Sequence, residues 1–171
     1  MRALLVSITA VALGGAASPG SEPPKLHGQT LNGEAMVLPD AAAGKVTLLV
    51  LGASRKGGER TGPWKDHFIA DFASKRNAAY YVIALLQNAP AMFRGMIRAG
   101  MRNGTPEPER NHVLTSAADE AEWTSYLGLT DYSLPAVLLL DESGHVLWEY
   151  IGVFDPTKYQ VLKAAAAPYV K

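Results

Sequence analysis

RTGPWK, residues 60–65, lies where one kind of periodicity gives way to another. Upstream, KVTLLVLGA (45–53) is an almost unbroken apolar run, the pattern of a strand buried on both faces. Downstream, PWKDHFIADFASKR (63–76) brings Trp64, Phe68, Ile69 and Phe72 close to one face at helical spacing. Pro63 suits the first turn of that helix, where its missing N–H leaves no bond unmade. Thr61 stands where an N-cap hydroxyl would. SRKGGERTG (54–62) is then expected to be the loop that joins strand to helix.

Reading outward, AYYVIALLQ (79–87) is a second buried strand and APAMFRGMIRAGMRNG (89–104) a helix stopped by Asn103, Gly104 and Pro106. HVLT (112–115) is a short third strand. SAADEAEWTSYLGL (116–129) is a helix with Ser116 as its N-cap ahead of Asp119 and Glu120. After TDYSLP (130–135), AVLLLDESGHVLWEYIG (136–152) gives two strands joined by a tight turn, and PTKYQVLKAAAAPYVK (156–171) a closing helix. Turn signals at Asn32 and Gly33, and at Ala43 and Gly44, make residues 25–45 a hairpin-like entry. Strands alternating with helices in this way predict an α/β layered domain with parallel strands at its centre.

Composition narrows the function. The chain has 171 residues, enough for one domain with a sizeable core. Sixteen basic and sixteen acidic residues cancel, so there is no global field for nucleic acid. There is no cysteine, which removes thiol–disulfide exchange, peroxidatic cysteine chemistry and thiolate metal sites. The four histidines have no paired metal spacing, and no G-x-S-x-G, H-E-x-x-H or carboxylate pair argues catalysis; no cofactor or metal is expected. Arg2, the apolar run 3–13 and the small residues 14–17 read as a signal peptide over residues 1–17, cleaved after Ala16 or Ala17. The expected location is the periplasm or cell envelope; the alternative is a membrane anchor formed by an uncleaved N-terminal segment. SPGSEPP (18–24) reads as a flexible leader, and residues 25–171 as the folded domain.

This element order, with RTGPWK after the first core strand and Leu134 and Pro135 before the terminal hairpin, resembles the thioredoxin fold. The resemblance implies a three-layer α/β sandwich with a central mixed sheet and an inserted helix around residues 88–111. Thioredoxin-type enzymes carry Trp-Cys-Gly-Pro-Cys-Lys at the start of the helix, so Thr61 and Trp64 take the two cysteine places. Pro135 matches the proline that in that fold is cis and faces the helix carrying the cysteines. A narrower resemblance, to the mitochondrial ATP synthase assembly factor family, rests on three patterns. They are Trp64 and Phe68 on the first helix, Arg102 and Pro106 after the basic helix, and Asp141, Gly144 and Trp148 in the hairpin. It implies a thioredoxin-like protein that acts in building a membrane complex.

Three surfaces follow as candidates. A groove at Thr61, Trp64 and Pro135 would hold extended peptide with Trp64 as anchor; against it, Trp64 reads as a core aromatic and Thr61 as a cap. Arg55, Lys56 and Arg60, with three glycines before a helix start, would hold an anion; against it stands a solvated basic loop. On the 90–103 helix, Met92, Phe93, Met96, Ile97 and Met101 recur on one face and Arg94, Arg98 and Arg102 on another. That helix either packs on the sheet with a solvated basic face, or docks a protein client, possible membrane contact being made by its arginines. The leading expectation is a non-catalytic exported protein that binds or chaperones protein clients, in assembly of a membrane complex. The alternatives are an enzyme of the peroxiredoxin or thiol-reductase lineage with lost or cysteine-independent activity, and a small anion-binding protein.

Overall fold

The computed structural model describes residues 17–171; the expected signal, apart from Ala17, lies outside the described residues. Apolar continuity decides the centre of the sheet. Every residue of β3 (Val46–Gly52) is buried, and the strand pairs in parallel with β4 (Ala78–Leu85) and antiparallel with β6 (Ala136–Leu140). β5 (Val113–Ser116) runs parallel on the other side of β4. β7 (Val146–Ile151) returns against β6 through a turn in which the Asp141 carboxylate accepts from the backbone N–H groups of Ser143 and His145. The entry hairpin of β1 (Leu26–Thr30) and β2 (Ala35–Leu38) turns at Gly33, whose φ of +100° suits glycine, and attaches antiparallel to β5. The result is a seven-stranded mixed sheet in the order β2-β1-β5-β4-β3-β6-β7.

The sheet separates two cores. Leu49, Leu51, Ile83, Leu85, Leu138 and Leu140 pack with Trp123 and Leu127 of α4 (Glu120–Leu127). On the opposite face Val46, Leu48, Val50, Val137 and Leu139 meet Trp64, Phe68 and Phe72 of α2 (Gly62–Phe72), and Tyr159, Leu162 and Ala166 of α5 (Pro156–Ala166). This is the three-layer α/β arrangement expected from the alternation of strands and helices.

α2 and α5 are also tied by charge. Asp71 accepts from Lys163 Nζ at 2.7 Å and from the Tyr159 hydroxyl at 2.8 Å. The Lys163 bond, with help from Tyr159, holds the Asp71 carboxyl below its usual range. A depressed folded-state pKa contributes stability above the unfolded value, and that stability is lost as pH falls through the folded one. The pair is partly exposed, so Asp71→Asn is expected to cost no more than about 1 kcal/mol at neutral pH. The gap between the two proteins should close as pH falls below about 4, read by urea midpoints across the acid range.

Several local expectations differ from the fold. Ser116 ends β5 instead of capping α4, which starts after Asp119. The leader is held down: the Gly20 N–H donates to Val146 O, Ser21 O accepts from the Val146 N–H, and the Ser21 hydroxyl lies 2.7 Å from that of Tyr126. Residues 54–62 are not a plain loop, because α1 (Arg55–Glu59) forms within them. β4 is not buried on both faces: Ala79, Tyr81, Ile83 and Leu85 are buried, whereas Tyr80, Val82 and Ala84 are half-exposed. Over Val82 and Ala84 the reason is α3 (Ala91–Gly104), which stands off the sheet and contains no buried residue.

Candidate functional site

The first helical turn after β3 belongs to α1. The Ser54 hydroxyl caps it by accepting from the Gly57 N–H at 3.1 Å, and donates to Tyr132 O at 2.5 Å. Arg60 Nη1 donates to Ser133 O at 2.9 Å. A Cβ placed on Gly57 would lie 2.7 Å from Tyr132 O and 3.4 Å from Leu134 O. The segment facing the loop before β6 is therefore RKGGER (55–60), not RTGPWK. In this frame Lys56 and Glu59, not Thr61 and Trp64, stand where thioredoxin-type enzymes carry cysteine.

That register removes RTGPWK from the site. Trp64 is 0 % exposed, among the rings of Trp148, Tyr150, Phe154 and Tyr159, and its indole N–H donates to Gly152 O at 3.2 Å. It is a core residue and cannot anchor a client. Thr61 is buried and stands at the N-cap position, but its hydroxyl donates to Gly58 O and caps nothing.

The groove beside Pro135 is also occupied by the protein's own bonds. Tyr132 O and Ser133 O accept from Ser54 and Arg60, the Ser133 N–H donates to the Asp131 carboxylate, and the Leu134 N–H donates to Asp131 O. Pro135 O accepts from the Gly152 N–H. Among the described residues the one cis peptide bond is Leu38-Pro39, so Pro135 is trans. With these backbone groups paired, the loop does not present the open edge that an extended peptide needs.

The anion expectation meets a similar obstacle. Arg55 Nε holds the Glu59 carboxylate at 2.9 Å, and Arg60 is engaged with Ser133 O. Hydrogen bonds from Ser133, with Lys56 and Arg60 close by, keep the Asp131 carboxyl below its usual range. The cations thus face acids and carbonyls of the same chain, and the cap of the short α1 is taken by Ser54.

α3 reverses the expected packing. Arg94 donates to Ala89 O at 2.9 Å and Gln87 O at 2.6 Å, and Arg98 donates to the Gln29 side chain and Thr30 O. These guanidinium groups face the protein, where fork-shaped donors suit backbone carbonyls. Arg102 is exposed. Met92, Phe93 and Met96 turn outward instead, 80 %, 45 % and 65 % exposed, while Ile97 and Met101 are half-buried toward the sheet. Arg94 and Arg98 therefore position the helix and do not form a solvated basic face.

Between α3 and the sheet lies a cavity of about 620 Å³, lined by Val82, Ala84, Leu86, Ile97 and Met101, with Arg55 and Glu59 at its edge. Glu120, 1 % exposed, accepts from the side-chain amide and the N–H of Asn88, and so joins the start of α4 to the lead into α3. The sequence offered no signal for the cavity, and Glu120 was legible only as a first-turn acid. The histidines pack or pair locally: His67 stacks on Phe154 and His112 on Tyr80, while His27 and His145 lie beside Asp119 and Asp141. Among the described residues no group of acids and histidines is arranged to hold a metal ion.

No family model matches the chain and no curated protein matches it, so nothing singles out the ATP synthase assembly factors. Solved structures do match it. The thioredoxin domain of a thiol-disulfide oxidoreductase from Bacteroides vulgatus superposes with a TM-score of 0.62 at 15% identity, covering 88% of this chain and 99% of that one. The pneumococcal exposed lipoprotein thioredoxin of Streptococcus pneumoniae gives 0.61 at 16% identity, covering 84% and 99%. BsSco, a member of the Sco family of cytochrome c oxidase assembly proteins, gives 0.58 at 14% identity, covering 90% and 96%. These identities carry the fold alone. The chain has a thioredoxin-like fold and, lacking cysteine, no means of thiol-based catalysis.

Proposed function

We propose that this protein is a non-catalytic, extracytoplasmic binding protein that holds an apolar segment of a protein client on the outer face of α3. One observation carries it: Met92, Phe93 and Met96 are exposed on a helix with no buried residue. A long amphipathic helix normally buries its apolar face, and a clustered apolar surface marks an interaction site. Methionine side chains adapt to differently shaped partners. No acidic residue occurs from 89 to 105, so the charge of the exposed Arg102 is not offset within the helix and favours a client with acidic flanks. The signal-like residues 1–17 favour an exported location, as does the fold shared with an exposed lipoprotein. The resemblance to ATP synthase assembly factors, and the fold shared with an oxidase assembly protein, favour a membrane-complex subunit as the client.

The test is photocrosslinking in cells from p-benzoylphenylalanine placed at Phe93, with and without Met92→Asp/Met96→Asp. One dominant membrane-complex subunit should be captured, and lost in the double variant while its thermal midpoint stays unchanged. Equal capture in both proteins, or no specific capture in either, would overturn the reading.

A further inference from the structure

We propose that the cavity between β4 and α3 is a binding site for an uncharged, largely apolar small molecule. Val82, Ala84 and Leu86 form its sheet wall and Ile97 and Met101 its helix wall. All five are apolar, and all are only half-buried. Protein interiors are close-packed, so two apolar walls that face each other without closing are an interface awaiting a filler. The volume, about 620 Å³, falls within the range of small-ligand sites, about 300–1,000 Å³. The position fits as well: Gly52 and Leu85 bring the carboxyl ends of the parallel strands β3 and β4 to the cavity, where open α/β sheets take ligands.

The polar groups on its lining decide the ligand's chemistry. The charged lining residues are Arg55 and Glu59, and they pair with each other. The Ser54 hydroxyl is engaged with Tyr132 O, the Thr61 hydroxyl with Gly58 O, and the Asn88 amide with Glu120. These polar side chains each have a partner within the chain while both facing walls are apolar, so a charged or strongly polar ligand would lose more water than the walls return in bonds. An uncharged apolar molecule loses nothing there. This site is separate from the client-binding face, because Met92 and Met96 are on the outer side of α3 and do not line the cavity.

The test is a fluorescence titration of the purified protein with N-phenyl-1-naphthylamine, an uncharged probe that brightens in apolar surroundings. Saturable binding at one probe per chain is expected. Ala84→Trp and Met101→Trp fill the cavity from opposite walls and should each weaken binding at least tenfold, with thermal midpoints that are not lowered. Met92→Asp/Met96→Asp should bind the probe as the native chain does, even where it loses the client. If one filled variant does not fold, the other decides. No saturable binding by the native chain, unchanged affinity in a folded filled variant, or loss confined to the Met92/Met96 variant would each overturn the proposal.

Discussion

Trp64→Ala is expected to destabilise the protein by about 3–5 kcal/mol, the range for removing a large aromatic from a packed core. Trp64 is wholly buried, with the ring centroids of Phe154, Tyr150 and Trp148 5.2, 5.6 and 5.9 Å from its own. Truncation leaves a cavity among these rings and strands Gly152 O without its indole donor. Urea unfolding reads the effect as a lowered midpoint. Met96→Ala is the matched control; being 65 % exposed, it should move stability by no more than about 0.5 kcal/mol. A Trp64 that anchored a client from the surface would give the opposite ranking, with little loss of stability and weakened client capture. The two midpoints together therefore decide whether RTGPWK belongs to the core or to a site.

What the sequence made legible is what local pattern encodes. The unbroken run of β3, the helical spacing of Trp64, Phe68 and Phe72, and the turn residues of the terminal hairpin each point to one structure, and each formed. The missing cysteines excluded a chemistry outright. The frame of the site was harder to read. α1 is five residues with two glycines, too short and too weak in propensity to announce itself. It forms because Ser54 caps it and because residues 132–134, more than seventy positions downstream, lie against Gly57. RTGPWK matched a familiar hexapeptide, but the strand-to-helix junction had already been made by the segment before it.

α3 posed a different problem. Periodicity assigns its residues to faces but does not say which face meets the sheet. Burying the methionines was the natural expectation from the hydrophobic effect. What reversed it were acceptors contributed by other segments: Gln87 O and Ala89 O for Arg94, and Gln29 and Thr30 O for Arg98. The half-exposure of Val82 and Ala84 on β4 is the other side of the same event, since the helix that would have covered them is held away. The outward methionines and the cavity thus have a common origin in two arginines that bind backbone.

The two glycines of α1 are expected to respond to the same substitution with opposite signs. At an ordinary helical position Gly→Ala stabilises by about 0.5–1 kcal/mol, because glycine has more backbone freedom to lose. Gly58 is such a position: a Cβ there meets nothing within 4 Å, so Gly58→Ala should be neutral or stabilising. Gly57 is not, because its Cβ would lie 2.7 Å from the carbonyl oxygen of Tyr132. That oxygen is backbone, held by the Ser54 hydroxyl, and cannot swing aside as a flexible side chain would. Gly57→Ala must push α1 and the loop apart, and a net loss of about 1–3 kcal/mol is expected from overpacking of this kind. Urea midpoints of the two single variants measure the difference. Equal effects at the two positions would mean that the loop yields, and that the space beside Pro135 is open to an extended peptide after all. Opposite signs would mean that α1 and the loop before β6 are locked together backbone to backbone, leaving no room beside Pro135 for an extended peptide.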